Sequence, residues 1–265
     1  MKLFISADIE GICGIVNWDE AQKLHQDYEY FSREMSKEVA AVCETALNSG
    51  EVEEIIVRDA HGTARNIIPD LLPGQTKLVR GWEGAPGAMM TGVESCDAVM
   101  MIGYHSGADM CGTPLSHTQT GDNYRVRING EIASEFLMNA LFAAYYHIPV
   151  LLISGDETIC EEAGKWIPMI RQVAVHRGMG GAVLSMNPHD AKELLKKETA
   201  HALQLKPEEC LLSLPDTFDV EIEFLEQIKA RKAGFYPGAV QKNGRTVGFS
   251  SSDYMEVMKF FMFVL

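Results

Sequence analysis

Short apolar runs alternate along the chain with stretches whose apolar positions recur every three or four residues. This is the pattern of βαβ units around a largely parallel sheet. The strand-length runs fall at 2–7 (KLFISA), 54–58 (EIIVR), 76–80 (TKLVR), 97–104 (DAVMMIGY), 149–154 (PVLLIS) and 171–175 (RQVAV). Between the first two, Met35, Val39, Val42, Cys43, Ala46 and Leu47 share one helical face, and Gly50 stands at the expected stop. Ser134 to Tyr146 predicts a second helix, with Phe136, Ala140, Ala143 and Ala144 on its apolar face. Asn187-Pro188 reads as an N-cap with proline at the first helical position, opening a helix that runs to about Leu205. Met255 to Leu265 predicts a final amphipathic helix, packed on the core or on a neighbouring subunit.

Two Asn-Gly pairs, Asn129-Gly130 and Asn243-Gly244, read as tight hairpin turns, because Asn-Gly supplies the positive φ that such turns require. The segment from Ser106 to Asp122 is long, polar and rich in Gly and Thr, as functional loops in compact domains often are. Gly178-Met179-Gly180-Gly181 lacks the spacing of a dinucleotide fingerprint and reads as a flexible turn. The expected fold class is therefore α/β: three layers, a largely parallel sheet flanked by helices, and a hairpin and loop insertion. The chain is expected to form a single catalytic unit over 1–265, with room for a smaller C-terminal α+β subdomain over 182–265.

Charge narrows the partners. With 23 Lys+Arg against 37 Asp+Glu in 265 residues, the formal net charge is −14. That balance excludes binding along a nucleic-acid backbone, which needs a basic stripe, and disfavours an anionic membrane surface. No apolar run approaches the roughly 20 residues of a membrane-spanning helix, and no leader pattern opens the chain. Cysteines 13, 43, 96, 111, 160 and 210 form no C-x-x-C pair, so reduced thiols and a cytoplasmic location are expected.

In a parallel α/β sheet, ligands bind beyond the carboxyl ends of the strands. Just past the first run stand Asp8 and Glu10, past the second Asp59 and His61, past the fourth His105, and past the fifth Asp156 and Glu157. Unpaired carboxylates gathered at one sheet edge repel one another, and a bound cation removes that repulsion. Asp and Glu oxygens with His nitrogens suit zinc, and also manganese or cobalt. Asp8 and Glu10, at alternate positions of an extended segment, point the same way and can face one ion. Asp59 can ligate or can orient the His61 imidazole. By themselves, His117 in the long loop reads as a surface histidine and Glu135 as an acid favoured by a helix N-terminus. His25, His147, His176, His189 and His201 lack acidic company at a strand end.

Taken in order, Ser6-x-Asp8-x-Glu10-Gly11, Asp59-x-His61, Gly103-Tyr104-His105, Ser116-His117-Thr118 and Glu135 with Asn139 resemble the zinc-dependent D-aminopeptidase family. The motifs span about residues 1–160. The resemblance implies two Zn2+ ions per subunit, with Asp8 as bridging ligand and Glu10, His61, His105 and Glu135 completing the two ligand sets. It makes His117 the catalytic residue, as nucleophile or base. It also implies substrates that are short peptides or amides with a free N-terminal D-residue, typically D-alanine, and a homo-oligomeric ring. Two rival functions remain. A haloacid-dehalogenase-type phosphatase would use Asp8 as nucleophile and Gly155-Asp156-Glu157 for magnesium, leaving His61, His105 and His117 idle. A non-catalytic dipeptide-binding protein would bind without turnover.

Overall fold

A computed structural model describes residues 1–265. In chain order its elements are β1 (Lys2–Ala7), α1 (Trp18–Ala21), α2 (Tyr28–Asn48), β2 (Glu54–Asp59), β3 (Thr76–Val79), β4 (Ala98–Tyr104), β5 (Asn123–Ile128) and β6 (Glu131–Ile132). There follow α3 (Glu135–Tyr145), β7 (Val150–Asp156), α4 (Glu157–Trp166), β8 (Arg171–Met179), β9 (Ala182–Ser185) and α5 (Pro188–Ala202). The chain ends with β10 (Phe218–Phe224), α6 (Gln227–Ala233), β11 (Val240–Gln241), β12 (Thr246–Ser251) and α7 (Tyr254–Val264).

The main sheet runs β3-β2-β1-β4-β7-β8-β9, parallel throughout except for the β8–β9 edge hairpin. Every residue of β4 and β7 is buried, which is why these strands read as continuous apolar runs rather than as an alternation. From β1 the chain first builds β2 and β3 on one side, then returns to place β4 on the other. The sheet's switch point therefore lies between the carboxyl ends of β1 and β4, where such folds open a crevice.

A second sheet, β11-β12-β10-β5-β6, is antiparallel. Its strand β10 alternates Phe218, Val220, Ile222 and Phe224 inward with acids between them, the pattern of a sheet covered on one face. It takes strands from 123–132 as well as from 218–251, whereas α5, at 188–202, packs on α2 and β8 beside the main sheet. Helix α3, with all but Tyr145 of its residues buried, lies against β4 and α7, and α7 lies against β12 and β10. The two sheets thus share one apolar core.

Asn129-Gly130 turns β5 into β6 with both residues at positive φ, 53° and 86°. Asn243-Gly244 also joins two strands, but neither residue adopts positive φ. There the Asn243 Oδ1 holds the turn by accepting from the backbone N–H groups of Arg245 and Thr246. Asn187 caps α5 with Pro188 at its first position. All six cysteines are free, and Cys111 is the exposed one.

One buried acid couples the fold to pH. Glu38 on α2 is 1% exposed; its Oε1 accepts from the Cys13 N–H and its Oε2 has no partner. Burial pushes its carboxyl up to about 7 against the pull of Lys192. Since the folded chain holds this proton after the unfolded chain has released it, stability falls as pH rises from about 4.5 to about 7 and stays low above. Glu38→Gln keeps the acceptor for Cys13 and cannot ionise. Urea unfolding should find the variant more stable than wild type at pH 8 by on the order of 3 kcal/mol, and nearly equal to it at pH 4.

Candidate metal centre

The exits of β1 and β4 are locked together by backbone. The Gly11 N–H donates to Gly103 O at 2.9 Å, and Asp8 N–H to Ile102 O at 2.8 Å. A Cβ on Gly11 would stand 1.7 Å from Tyr104 O, so only glycine permits this approach. The contact sets Asp8 and Glu10 beside His105. The end of β2 brings His61 from the other flank, and the N-terminus of α3, capped by Ser134, brings Glu135. His117 reaches in from the 106–122 loop, which is bound to the fold: Ser106 and Thr118 are fully buried.

These side chains form three overlapping groups whose ligand atoms lie within 4.8 Å of one another: Asp8, Glu10 and His61; Asp8, His105 and Glu135; Glu10, His105 and His117. His61 Nδ1 stands 3.2 Å from Asp8 Oδ1 and 2.8 Å from Glu10 Oε2. His105 Nε2 is 3.5 Å from Asp8 Oδ2 and 3.6 Å from Glu135 Oε2, and His117 Nε2 is 3.6 Å from Glu135 Oε1. The His105 and His117 rings stack at 4.3 Å, and Trp18 meets His117 edge-on at 5.0 Å.

Each imidazole turns its outer nitrogen to a backbone carbonyl. His61 Nε2 meets Ala21 O at 2.8 Å, His105 Nδ1 meets Ser106 O at 3.0 Å, and His117 Nδ1 meets Leu115 O at 2.9 Å. A carbonyl only accepts, so each outer nitrogen carries the proton, and in the neutral ring the inner nitrogen presents a lone pair to the cluster. Asp59 does not orient His61 directly. Its carboxylate accepts from the Asn66 and Ile67 backbone and from the Asn66 side chain, and Asn66 in turn donates to His61 O.

Three buried carboxylates with no permanent cation among them must be balanced. Burial pushes all three up. For Asp8 that effect and the nearby Glu10 win, and its carboxyl sits well above the usual range. For Glu10 the His61 charge outweighs burial, and for Glu135 the His105 charge does, leaving both below theirs. Burial works against charge on His105 too, but Glu135 and Asp8 overcome it and push it up to about 10. His61 rises well above its usual value because Glu10 and Asp8 outweigh burial. His117 is pushed down, by burial and then by His105. His105 Nε2 is buried without a hydrogen-bond partner. Convergent acids, inner imidazole nitrogens that a metal would bind in place of a proton, and an orphaned buried nitrogen are what a divalent cation satisfies, so the residues present fit a metal.

The cluster floors a cavity of about 620 Å³, within the range of small-molecule sites. Its walls include Trp18, Trp82, Met89 and Gln119, with Lys23 at the rim. The sequence patterns do not single out these residues, although Asn17-x-x-Glu20 is a capping-box signature and does cap the N-terminus of α1, which carries Trp18. The phosphatase arrangement is not assembled. Asp156 spends its carboxylate on the Ser106 N–H, the Ser106 hydroxyl and the Ile159 N–H, and Glu157 is exposed.

Fold and site together define an α/β protein with a candidate divalent-metal centre at its switch point. The chain belongs to the M55 peptidase family, the D-aminopeptidases, whose family model matches residues 1–263. It is 32% identical over 259 residues to the D-aminopeptidase of Bacillus subtilis (strain 168), covering 97% of this chain and 93% of that one. Its fold is similar to the solved structure of the Zn-dependent D-aminopeptidase DppA from Bacillus subtilis, described as a self-compartmentalizing protease. The TM-score is 0.92 at 30% identity, covering 100% of this chain and 96% of that one. No helix is long and apolar enough to cross a membrane.

Proposed function

We propose that this chain is a zinc-dependent aminopeptidase that releases N-terminal D-residues, D-alanine typically, from short peptides or amides through a dinuclear site. The observation that carries this reading is the set of three inward-facing imidazoles converging with three buried carboxylates in a chain of this family. Asp8, whose Oδ1 faces His61 and whose Oδ2 faces His105, would be the bridging ligand shared by the two sets. Glu10 and His61 complete one set, and His105 and Glu135 the other. Residues 1–265 act as one catalytic unit in the cytoplasm, assembled into a homo-oligomeric ring.

Bound there, divalent cations would supply Lewis-acid polarisation of the scissile carbonyl and ready ionisation of water near neutral pH. His117 Nε2, kept neutral by its surroundings and fixed by the Leu115 carbonyl, accepts the proton of the attacking water and later returns it to the leaving amine. A carboxylate of the cluster holds the substrate's ammonium group, selecting a free N-terminus. Trp18, edge-on to His117, and Trp82, fixed through its Nε1–H on Gly62 O, limit how the side chain of the first residue can enter.

Lys23 is the one Lys or Arg lining the cavity, so it is the group suited to a substrate's terminal carboxylate. Lys23→Met is expected to raise KM roughly tenfold for D-Ala dipeptides, the scale of one exposed charge-assisted contact, while leaving D-alanine amide unchanged. Steady-state kinetics on the two substrates checks this. Equal effects on both would detach Lys23 from the carboxylate. The whole reading is tested by turnover of matched D- and L-alanyl peptides with and without zinc.

A further inference from the structure

Asp156 ends β7, is fully buried and lies outside the ligand cluster. Its Oδ2 accepts from the Ser106 N–H at 2.7 Å and its Oδ1 from the Ser106 hydroxyl at 2.5 Å; Oδ1 also caps α4 through the Ile159 N–H at 3.0 Å. Ser106 is itself fully buried, and its carbonyl serves two site histidines at once. It accepts from His105 Nδ1 at 3.0 Å and from the His117 N–H at 3.2 Å. One residue held at both its N–H and its hydroxyl therefore sets the ring of a ligand histidine and the backbone of the general base. The far side is closed by Gly112, which is held by the Gly178 N–H on its carbonyl at 2.8 Å. A Cβ at Gly112 would stand 1.6 Å from Ser106 Oγ and 2.5 Å from Asp156 Oδ1.

We infer that Asp156 is a positioning residue of this enzyme: through Ser106 it fixes His105 for metal binding and His117 for proton transfer. The inference rests on the proposed roles of those two histidines. Outer carboxylates of this kind commonly act on a metal through the hydrogen bonds of its ligands, and losing one costs roughly 10- to 100-fold in metal affinity or activity. Here the link passes through a serine carbonyl, so the hydroxyl and the packing above it are separate handles on the same geometry.

The experiment measures zinc affinity by chelator competition, and kcat and KM on a D-Ala dipeptide, for Asp156→Ala, Asp156→Asn, Ser106→Ala, Gly112→Ala and the Ser106→Ala/Gly112→Ala pair. Asp156→Ala should lower zinc affinity and kcat by roughly 10- to 100-fold with KM little changed. Asp156→Asn should recover much of both, because an amide oxygen still accepts from the Ser106 N–H. Ser106→Ala leaves the α4 cap intact, so its loss of affinity and kcat, smaller than that of Asp156→Ala, cannot come from helix fraying. Gly112→Ala should be as damaging as Asp156→Ala. Adding Ser106→Ala, which removes the nearest clashing atom but leaves Asp156 Oδ1 in place, should restore part of the loss. If Asp156→Ala and Ser106→Ala lower only the melting temperature and leave affinity and kcat at wild-type values, Asp156 is a helix cap and the inference is wrong. A wild-type chain that bound no zinc and cleaved no D-peptide would instead remove the functional reading beneath it.

Discussion

Replacing His117 by alanine is expected to lower kcat on a D-alanyl dipeptide by roughly 10²- to 10⁴-fold, the scale of lost general acid–base catalysis. His117 is the site histidine with most access to the cavity, its side chain 12% exposed against 1% for His105. It is also the one whose surroundings favour the neutral ring: burial and the stacked His105 both push it down. It stands in one candidate ligand group, as His61 and Glu135 do, but the two ligand sets proposed above are complete without it. The variant should therefore keep the metal content of wild type while losing turnover. Elemental analysis beside steady-state kinetics separates the two properties. Full activity in the variant would remove His117 from the mechanism, and loss of metal along with activity would make it a ligand.

Asp8→Ala should be the most damaging change to the centre. Its two oxygens face different partners, Oδ1 toward His61 Nδ1 and Oδ2 toward His105 Nε2, so one carboxylate joins both ligand sets. Removing it is expected to take zinc from two equivalents per chain to near zero and turnover to background. His61→Ala, which belongs to one set, should lose one equivalent. Thermal unfolding gives a readout independent of activity. Zinc at about a thousand times its dissociation constant should stabilise wild type by about 4 kcal/mol for each site filled and leave Asp8→Ala unmoved. Two equivalents retained in Asp8→Ala would contradict a bridging role.

Much of the main sheet is visible in the chain's periodicity, because a parallel strand buried on both faces must be an unbroken apolar run. Leu3, Phe4 and Ile5 of β1 and the whole of β4 and β7 meet that condition. The second sheet was less legible. Only the turn at Asn129-Gly130 and the segments around Asn243-Gly244 signalled it, since β10 draws its partners β5 and β12 from opposite ends of a long stretch of chain. Edge strand β9 is short and half exposed, and its turn residues Gly180-Gly181 mark a hairpin that periodicity alone does not resolve.

The site divides in the same way. Asp8, Glu10, His61 and His105 follow strands, so the rule that ligands gather at carboxyl strand ends finds them from the residues themselves. Glu135 and His117 follow no strand, and their place in the cluster depends on the docking of α3 and on the anchoring of the 106–122 loop. Before the fold is known, only family resemblance points to them. The Ala21 carbonyl that fixes His61, and the Asp156–Ser106 pair behind His105, are backbone and packing relations with no sequence signature. The excess of acid in the sequence, 37 Asp+Glu, thus includes three carboxylates buried together at the site, which a solvated surface does not explain.

The central claim is that zinc held by this cluster makes the chain a D-selective aminopeptidase. The most direct test titrates zinc into the metal-free protein and follows hydrolysis of D-alanyl and L-alanyl dipeptides in parallel. Expected are no turnover without metal, D-selective turnover that rises with added zinc and saturates at two equivalents per chain, and little cleavage of the L-isomer. Undiminished turnover in the presence of a strong chelator, or preference for the L-peptide, would contradict it.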